Sequence, residues 1–231
     1  MSDALFSQLV SLTAGALLLS SVLLVGTIAL ALLGLDAGTA FGGMGSSRHM
    51  MIAALVEPTV LLSVYALSIP VGSSSIGLIV GARLEDPAGI ASPLGVLAVV
   101  ALAIAVLAET GRLPVDNPST HLELTMIHEA MILESSGRDL AWLELGSWLR
   151  LSALLALIAN LVAPWGVASG TGLPGLLIGV LALAVKIVAL AAALGAGEVF
   201  VAKLRLFRVP ELLAGSCALA FLAVTATYLT R

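Results

Sequence analysis

The sequence predicts an all-α fold, a polytopic transmembrane helical bundle of about six spans. Three observations predict it. The 231 residues are 60% hydrophobic and 10% charged, whereas a soluble domain carries about 25% charge. Mean hydropathy is +1.14, and the apolar runs approach the ~20 residues that cross ~30 Å of hydrocarbon. The polar residues are instead gathered in one stretch, 109–140, so the remainder reads as membrane scaffold.

The first span covers about 7–34. It is too long for the apolar core of a cleavable signal peptide and lacks a basic leader. The second, 49–71, contains Glu57 followed by Pro58, and the third, 92–110, ends in Glu109. The fourth covers 143–164. Trp142, Trp148, Trp165 and Tyr228 fall at or near span ends, where amphipathic rings settle. Gly166, Gly170, Gly172 and Pro174 break the chain before the fifth span, 174–197, which carries Lys186 and is closed by Glu198. The sixth, 210–229, opens on Pro210, a tolerated first-turn position. Its single cysteine, Cys217, supports neither a disulfide framework nor a metal cluster. No repeat of 20–50 residues interrupts this pattern, so residues 1–231 read as one transmembrane domain.

Basic residues orient the spans. Arg48 follows the first span, Arg112 and Arg138 the third, and Lys203, Arg205 and Arg208 the fifth. Arg83 and Arg231 stand on the other side. Six spans therefore put segment 111–140 in the cytoplasm and both termini outside, in the cell inner (plasma) membrane.

Within that segment, Pro114 and Pro118 each bias the preceding residue away from helix. Thr120 followed by Glu123 is a capping-box pattern. It predicts a short helix to about Glu134, stopped by Ser135, Ser136 and Gly137. His121, Thr125 and His128 share one face; Glu123 and Glu134 share the opposite face, with Glu129 between. Such a helix fits a wet cavity inside protein better than a lipid-facing span. A solvated loop is the plain alternative. Zinc is a poor fit, because His121 and His128 stand roughly 10 Å apart along a helix, and one zinc needs both within ~2.1 Å.

Charges inside the spans are expensive, about 2.5–3.5 kcal/mol on insertion scales, and so face protein or water. Glu57, Glu109, Asp116, Glu123, Glu129, Lys186 and Glu198 are the candidates for a proton or ion path. Arg48, Arg112, His121, His128, Lys203 and Arg205 are candidates for the cavity or interface around it. Structural pairing of Glu57 with Lys186, and of Glu109 and Asp116 with Arg112, is the alternative. Gly42-Gly-Met-Gly follows an apolar span rather than a strand, so dinucleotide binding is excluded. No nucleic-acid surface is present in the pattern.

Glu109-Thr-Gly-Arg-Leu-Pro-Val-Asp116, Glu123-Leu124 and His128-Glu129 resemble the motifs of the membrane subunit beside the quinone chamber of respiratory complex I, the subunit 1 or H family. The wording of 116–129 resembles the hydrogenase branch, of the formate hydrogenlyase subunit 4 and hydrogenase-4 component C type. Gly42-Gly-Met-Gly-Ser-Ser-Arg48 and Val199-Phe-Val-Ala-Lys-Leu-Arg-Leu-Phe-Arg-Val-Pro-Glu211 resemble that branch too. The resemblance runs from about residue 20 to the end. It implies that the first span here stands at the family's third, with two family spans lacking.

By that resemblance the chain anchors a membrane-bound [NiFe]-hydrogenase complex and moves protons or Na⁺. The nickel-iron centre and iron–sulfur clusters would sit in partner hydrogenase large and small subunits, beside antiporter-like membrane subunits and the lipid bilayer. The chain itself would hold no cofactor, because one cysteine cannot ligate a cluster, and no nucleic acid. Three alternatives stand beside this. One is the quinone-site subunit of a respiratory NADH dehydrogenase. Another is an independent transporter, which predicts inverted repeats not found here. The last is a structural anchor.

Overall fold

The computed structural model describes residues 15–85, 92–116, 127–167, 172–200, 204 and 208–230. Among them are eight helices and no strand. Backbone without water must satisfy its own hydrogen bonds, and a helix does so within each apolar run.

Helix α1 (Ala16–Asp36) ends at a turn in which Gly38 takes φ 64°, a left-handed conformation suited to glycine. Helix α2 (Ala40–Ser68) starts under a Thr39 cap, whose Oγ1 accepts the Gly42 N–H at 3.2 Å. The second span therefore begins at Ala40, not at 49, and Gly42 to Arg48 are helical rather than a loop. Packing explains it. A Cβ on Gly42 would strike the Gly34 carbonyl oxygen, and one on Gly34 would lie 2.5 Å from Ser46 Oγ. That hydroxyl donates to the Ala31 carbonyl at 2.9 Å. The glycines let α1 and α2 approach closely, as small residues do between membrane helices.

A short helix, α3 (Ile76–Glu85), precedes α4 (Pro93–Glu109), which Ser92 caps by accepting the Gly95 N–H at 3.1 Å. Helix α5 (His128–Ile132) is brief, and α6 (Gly137–Val162) starts inside the segment read as polar, so Arg138 and Asp139 occupy its first turn. The capping box at Thr120 lies outside the described residues. Helices α7 (Leu173–Phe200) and α8 (Val209–Leu229) complete the chain, the latter with Pro210 in its first turn.

Five helices are long and apolar enough to cross a membrane: α1, α2, α6, α7 and α8. The expected third span is α4, a shorter apolar helix whose 17 residues rise about 25 Å. The chain is thus a multi-pass membrane protein. Helix α4 forms the centre of the bundle with α2 and α8, and Ala98, Ala101, Leu102 and Ala105 on it have no exposure. Helix α1 lies against α2, and α6 against α4. Helix α7 packs mainly on α6 and has no buried residue.

At one end the loops gather. Helix α5 packs on α1 and α2. Arg112 lies 3.7 Å from Glu198, and the Leu204 N–H donates to the Pro114 carbonyl at 2.9 Å. The ends of α1, α4 and α7 therefore share one side of the bundle, as the distribution of basic residues implies.

Candidate functional site

Glu109 is the last residue of α4, and its side chain is 3% exposed. Arg150, from the middle of α6, ion-pairs with it. The same Nη2 also donates to Thr27 Oγ1 and, at 3.3 Å, to the Leu23 carbonyl, both on α1. Thr27 Oγ1 in turn donates to Glu109 Oε1 at 3.3 Å. A carboxylate and a guanidinium are thus shared among three helices. An arginine fits this role because its planar fork presents several donors at once.

Two further titratable groups belong to the cluster. Glu57 and His49, both on α2, interact electrostatically with Arg150. Glu57 Oε1, His49 Nε2 and Arg150 Nε are buried without hydrogen-bond partners. Buried polar atoms left unpaired are costly and mark groups held in place for a purpose or for a ligand.

A cavity of about 670 Å³ opens beside the cluster, between α1 and α6. Leu19, Leu23 and Leu30 form one wall, Trp142 and Trp148 the other. His49, Glu109, Arg112, Asp116, His128 and Glu129 line its polar end. A carboxyl at the edge of a cavity large enough for water, paired with a guanidinium, has what a proton acceptor needs.

The cavity brings together Glu109, Asp116, Glu129, Arg112 and His128, while Glu57 does not line it and is linked to it electrostatically through Arg150. Asp116 is buried and accepts the Ile127 N–H through Oδ2 at 3.2 Å, which ties the start of α5 to the turn after α4. Glu198 meets Arg112, so that arginine pairs with α7, while Glu109 pairs with Arg150 instead. Lys186 stands apart from the cluster: its Nζ donates to Asn160 Oδ1 at 3.4 Å, not to Glu57. Arg48 is half-buried in α2 and engaged in an interaction there. Glu123, His121, Lys203 and Arg205 lie outside the described residues.

Sequence reasoning missed Arg150, His49 and Thr27. Arg150 was open to the same rule that singled out Glu57, being an ionisable residue inside a span. His49, at the edge of the second span, was open to the same rule, whereas Thr27 carries no sequence signal and only packing reveals it.

The comparisons with known proteins agree with this architecture. A family model for NADH dehydrogenase matches residues 2–228, so the likeness reaches further toward the start than residue 20. The chain is 32% identical to formate hydrogenlyase subunit 4 of Escherichia coli (strain K12) over 193 residues, which are 84% of this chain and 62% of that protein. It is 34% identical to hydrogenase-4 component C of the same organism over 158 residues, 68% of this chain and 48% of that one. The chain thus spans between about half and three-fifths of the length of these two relatives. With a match along nearly its whole length, the chain belongs to the NADH dehydrogenase family of membrane subunits, the complex I subunit 1 (H) family.

Proposed function

We propose that the chain is the membrane-embedded, proton- or Na⁺-moving subunit of a membrane-bound hydrogenase complex of the formate hydrogenlyase type. The observation that carries this is the buried Glu109–Arg150 pair, with Glu57 and His49 around the same guanidinium. The names of its two relatives, both subunits or components of hydrogenase systems, support the choice of complex. Nickel-iron and iron–sulfur chemistry would belong to soluble partners, since Cys217 alone offers no cluster ligand set.

In this reading Glu109 takes a proton from water in the cavity. Protonation removes its negative charge and weakens its hold on Arg150. The guanidinium then turns toward Glu57, whose Oε1 has no hydrogen-bond partner. Electrons arriving in a docked partner supply the charge that biases uptake at Glu109, as nearby charge does for any carboxyl.

The cavity gives a second reading its own support. About 670 Å³ with leucines and two tryptophans along its apolar walls suits a ligand with an apolar body. A respiratory subunit that seats a quinone would use such a space.

Purification in gentle detergent, with metal and mass analysis, tests the proposal. Nickel and iron in co-purifying soluble subunits are expected. Flavin and many iron–sulfur subunits without nickel, together with quinone-dependent turnover, would replace it with the second reading.

A further inference from the structure

The end of the bundle opposite Glu109 holds a second cavity, of about 420 Å³. It lies where four helices stop or start. Leu67 of α2, Arg83 of α3, Ser92 and Leu94 of α4, and Thr227 and Thr230 at the end of α8 line it. The 17 residues of α4 separate it from Glu109 by about 25 Å, so it is no part of the site around Arg150.

Arg83 supplies its charge. Helix α3 buries Ile79, Val80 and Arg83, which share one face. The two aliphatic side chains join the core with Leu67 and Ala98. They hold the helix with its arginine turned into the cavity, 6% exposed. Glu85, two residues on, faces the other way and is exposed. Among the described residues that line the cavity there is no carboxylate. Arg83 is already engaged in an interaction within the chain, and its five N–H donors can serve several acceptors at once. A buried guanidinium favours an anion beside it. The start of α4, the positive end of that helix, opens on the same space.

Two further features select the anion. Thr227 Oγ1 donates to the Ala223 carbonyl at 2.6 Å, and Thr230 Oγ1 to the Ala226 carbonyl at 2.9 Å. Each threonine oxygen therefore remains as an acceptor, and the hydroxyls of a glycerol headgroup would donate to it. Below the cavity, Val96 and Val100 are exposed and share a side of α4 with Ser92. They continue the site as an apolar track along the helix, the path of an acyl chain. The ends of membrane helices lie at the level of lipid headgroups.

We infer that this cavity binds one anionic phospholipid, its phosphate against Arg83 and the start of α4, its headgroup hydroxyls by Thr227 and Thr230, and an acyl chain along Val96 and Val100. A zwitterionic headgroup would bring its own cation to the same guanidinium. The inference rests on the chain's being a multi-pass membrane protein and not on the hydrogenase reading.

The test takes the protein, with the subunits that accompany it, in gentle detergent and depleted of lipid. It is titrated with phosphatidylglycerol or with phosphatidylcholine of the same chains, and bound lipid is counted by native mass spectrometry. Arg83→Gln is expected to lose one tightly held phosphatidylglycerol, the affinity falling about tenfold, a change of ~1.4 kcal/mol. Arg138→Gln removes an exposed arginine in the first turn of α6 and should keep that lipid. Ala82→Phe leaves the guanidinium in place and fills the cavity that Ala82 lines, so it should lose the same lipid; it carries the test if Arg83→Gln does not assemble. Millimolar inorganic phosphate should leave the lipid bound. Displacement by inorganic phosphate, equal binding of phosphatidylcholine, an equal loss in Arg138→Gln, or full retention by Arg83→Gln or Ala82→Phe would each overturn the inference. The hydrogenase reading fails on a separate result, the absence of nickel and iron from the wild-type preparation.

Discussion

Arg150 holds the site together because one guanidinium serves Glu109, Thr27 and the Leu23 carbonyl. Removing one member of a buried ion pair strands the other, at about 3–5 kcal/mol, whereas removing both costs less. Arg150→Met is therefore expected to destabilise the protein in mild detergent by more than the double variant Arg150→Met with Glu109→Gln. Thermal unfolding of both measures this, and equal loss in the two would mean that Glu109 does not depend on the arginine. At this scale the sequence was partly legible. Glu57 and Glu109 announce themselves as carboxylates in apolar runs, and no sequence pattern is needed beyond that. Which cation each one meets was not legible. Glu109 passes over Arg112, its near neighbour in sequence, because the turn after α4 points Arg112 toward Glu198 on α7.

At the scale of elements, the contact between α1 and α2 depends on which glycines face it. A Cβ at Gly42 meets the Gly34 carbonyl, while one at Gly43 meets nothing within 4 Å. Gly42→Ala should cost about 1–3 kcal/mol through overpacking. Gly43→Ala should be neutral, or stabilise by up to ~1 kcal/mol through helix propensity. Thermal midpoints of the two single variants decide it; equal effects would contradict the close approach of these helices. The same glycines explain the one large boundary error. Gly42-Gly-Met-Gly falls between the first two spans read from hydropathy, yet tertiary packing and the Thr39 cap make it helix. The start of α8 was legible because Pro210 marks a helix start locally, and that of α4 from the apolar run that opens at 92.

For the whole molecule, six helices in alternation place the ends of α1, α4 and α7 together, and the Arg112–Glu198 and Leu204–Pro114 contacts tie two of them. In a background with Cys217 replaced by Ala, single cysteines at Gly38 and Ser136 should react with a membrane-impermeant thiol reagent from one side only. A cysteine at Ser73 should react only from the other. Reaction of Gly38 and Ser73 from the same side would break the topology. The five long apolar helices and the shorter α4 were legible as apolar runs, since hydropathy reports them directly. The cavity between α1 and α6 was not, because it depends on how far apart two apolar helices stand.

The central claim is that Glu109 links a redox partner to ion movement. The most direct measurement is proton uptake into inverted membrane vesicles during hydrogen evolution by the complex, with Glu109→Gln beside wild type. Hydrogen evolution should continue and the subunits should still co-purify, while proton uptake per hydrogen falls by about tenfold or more, as removal of a positioned acid–base group does. Unchanged proton uptake in an assembled, active Glu109→Gln complex would contradict the account.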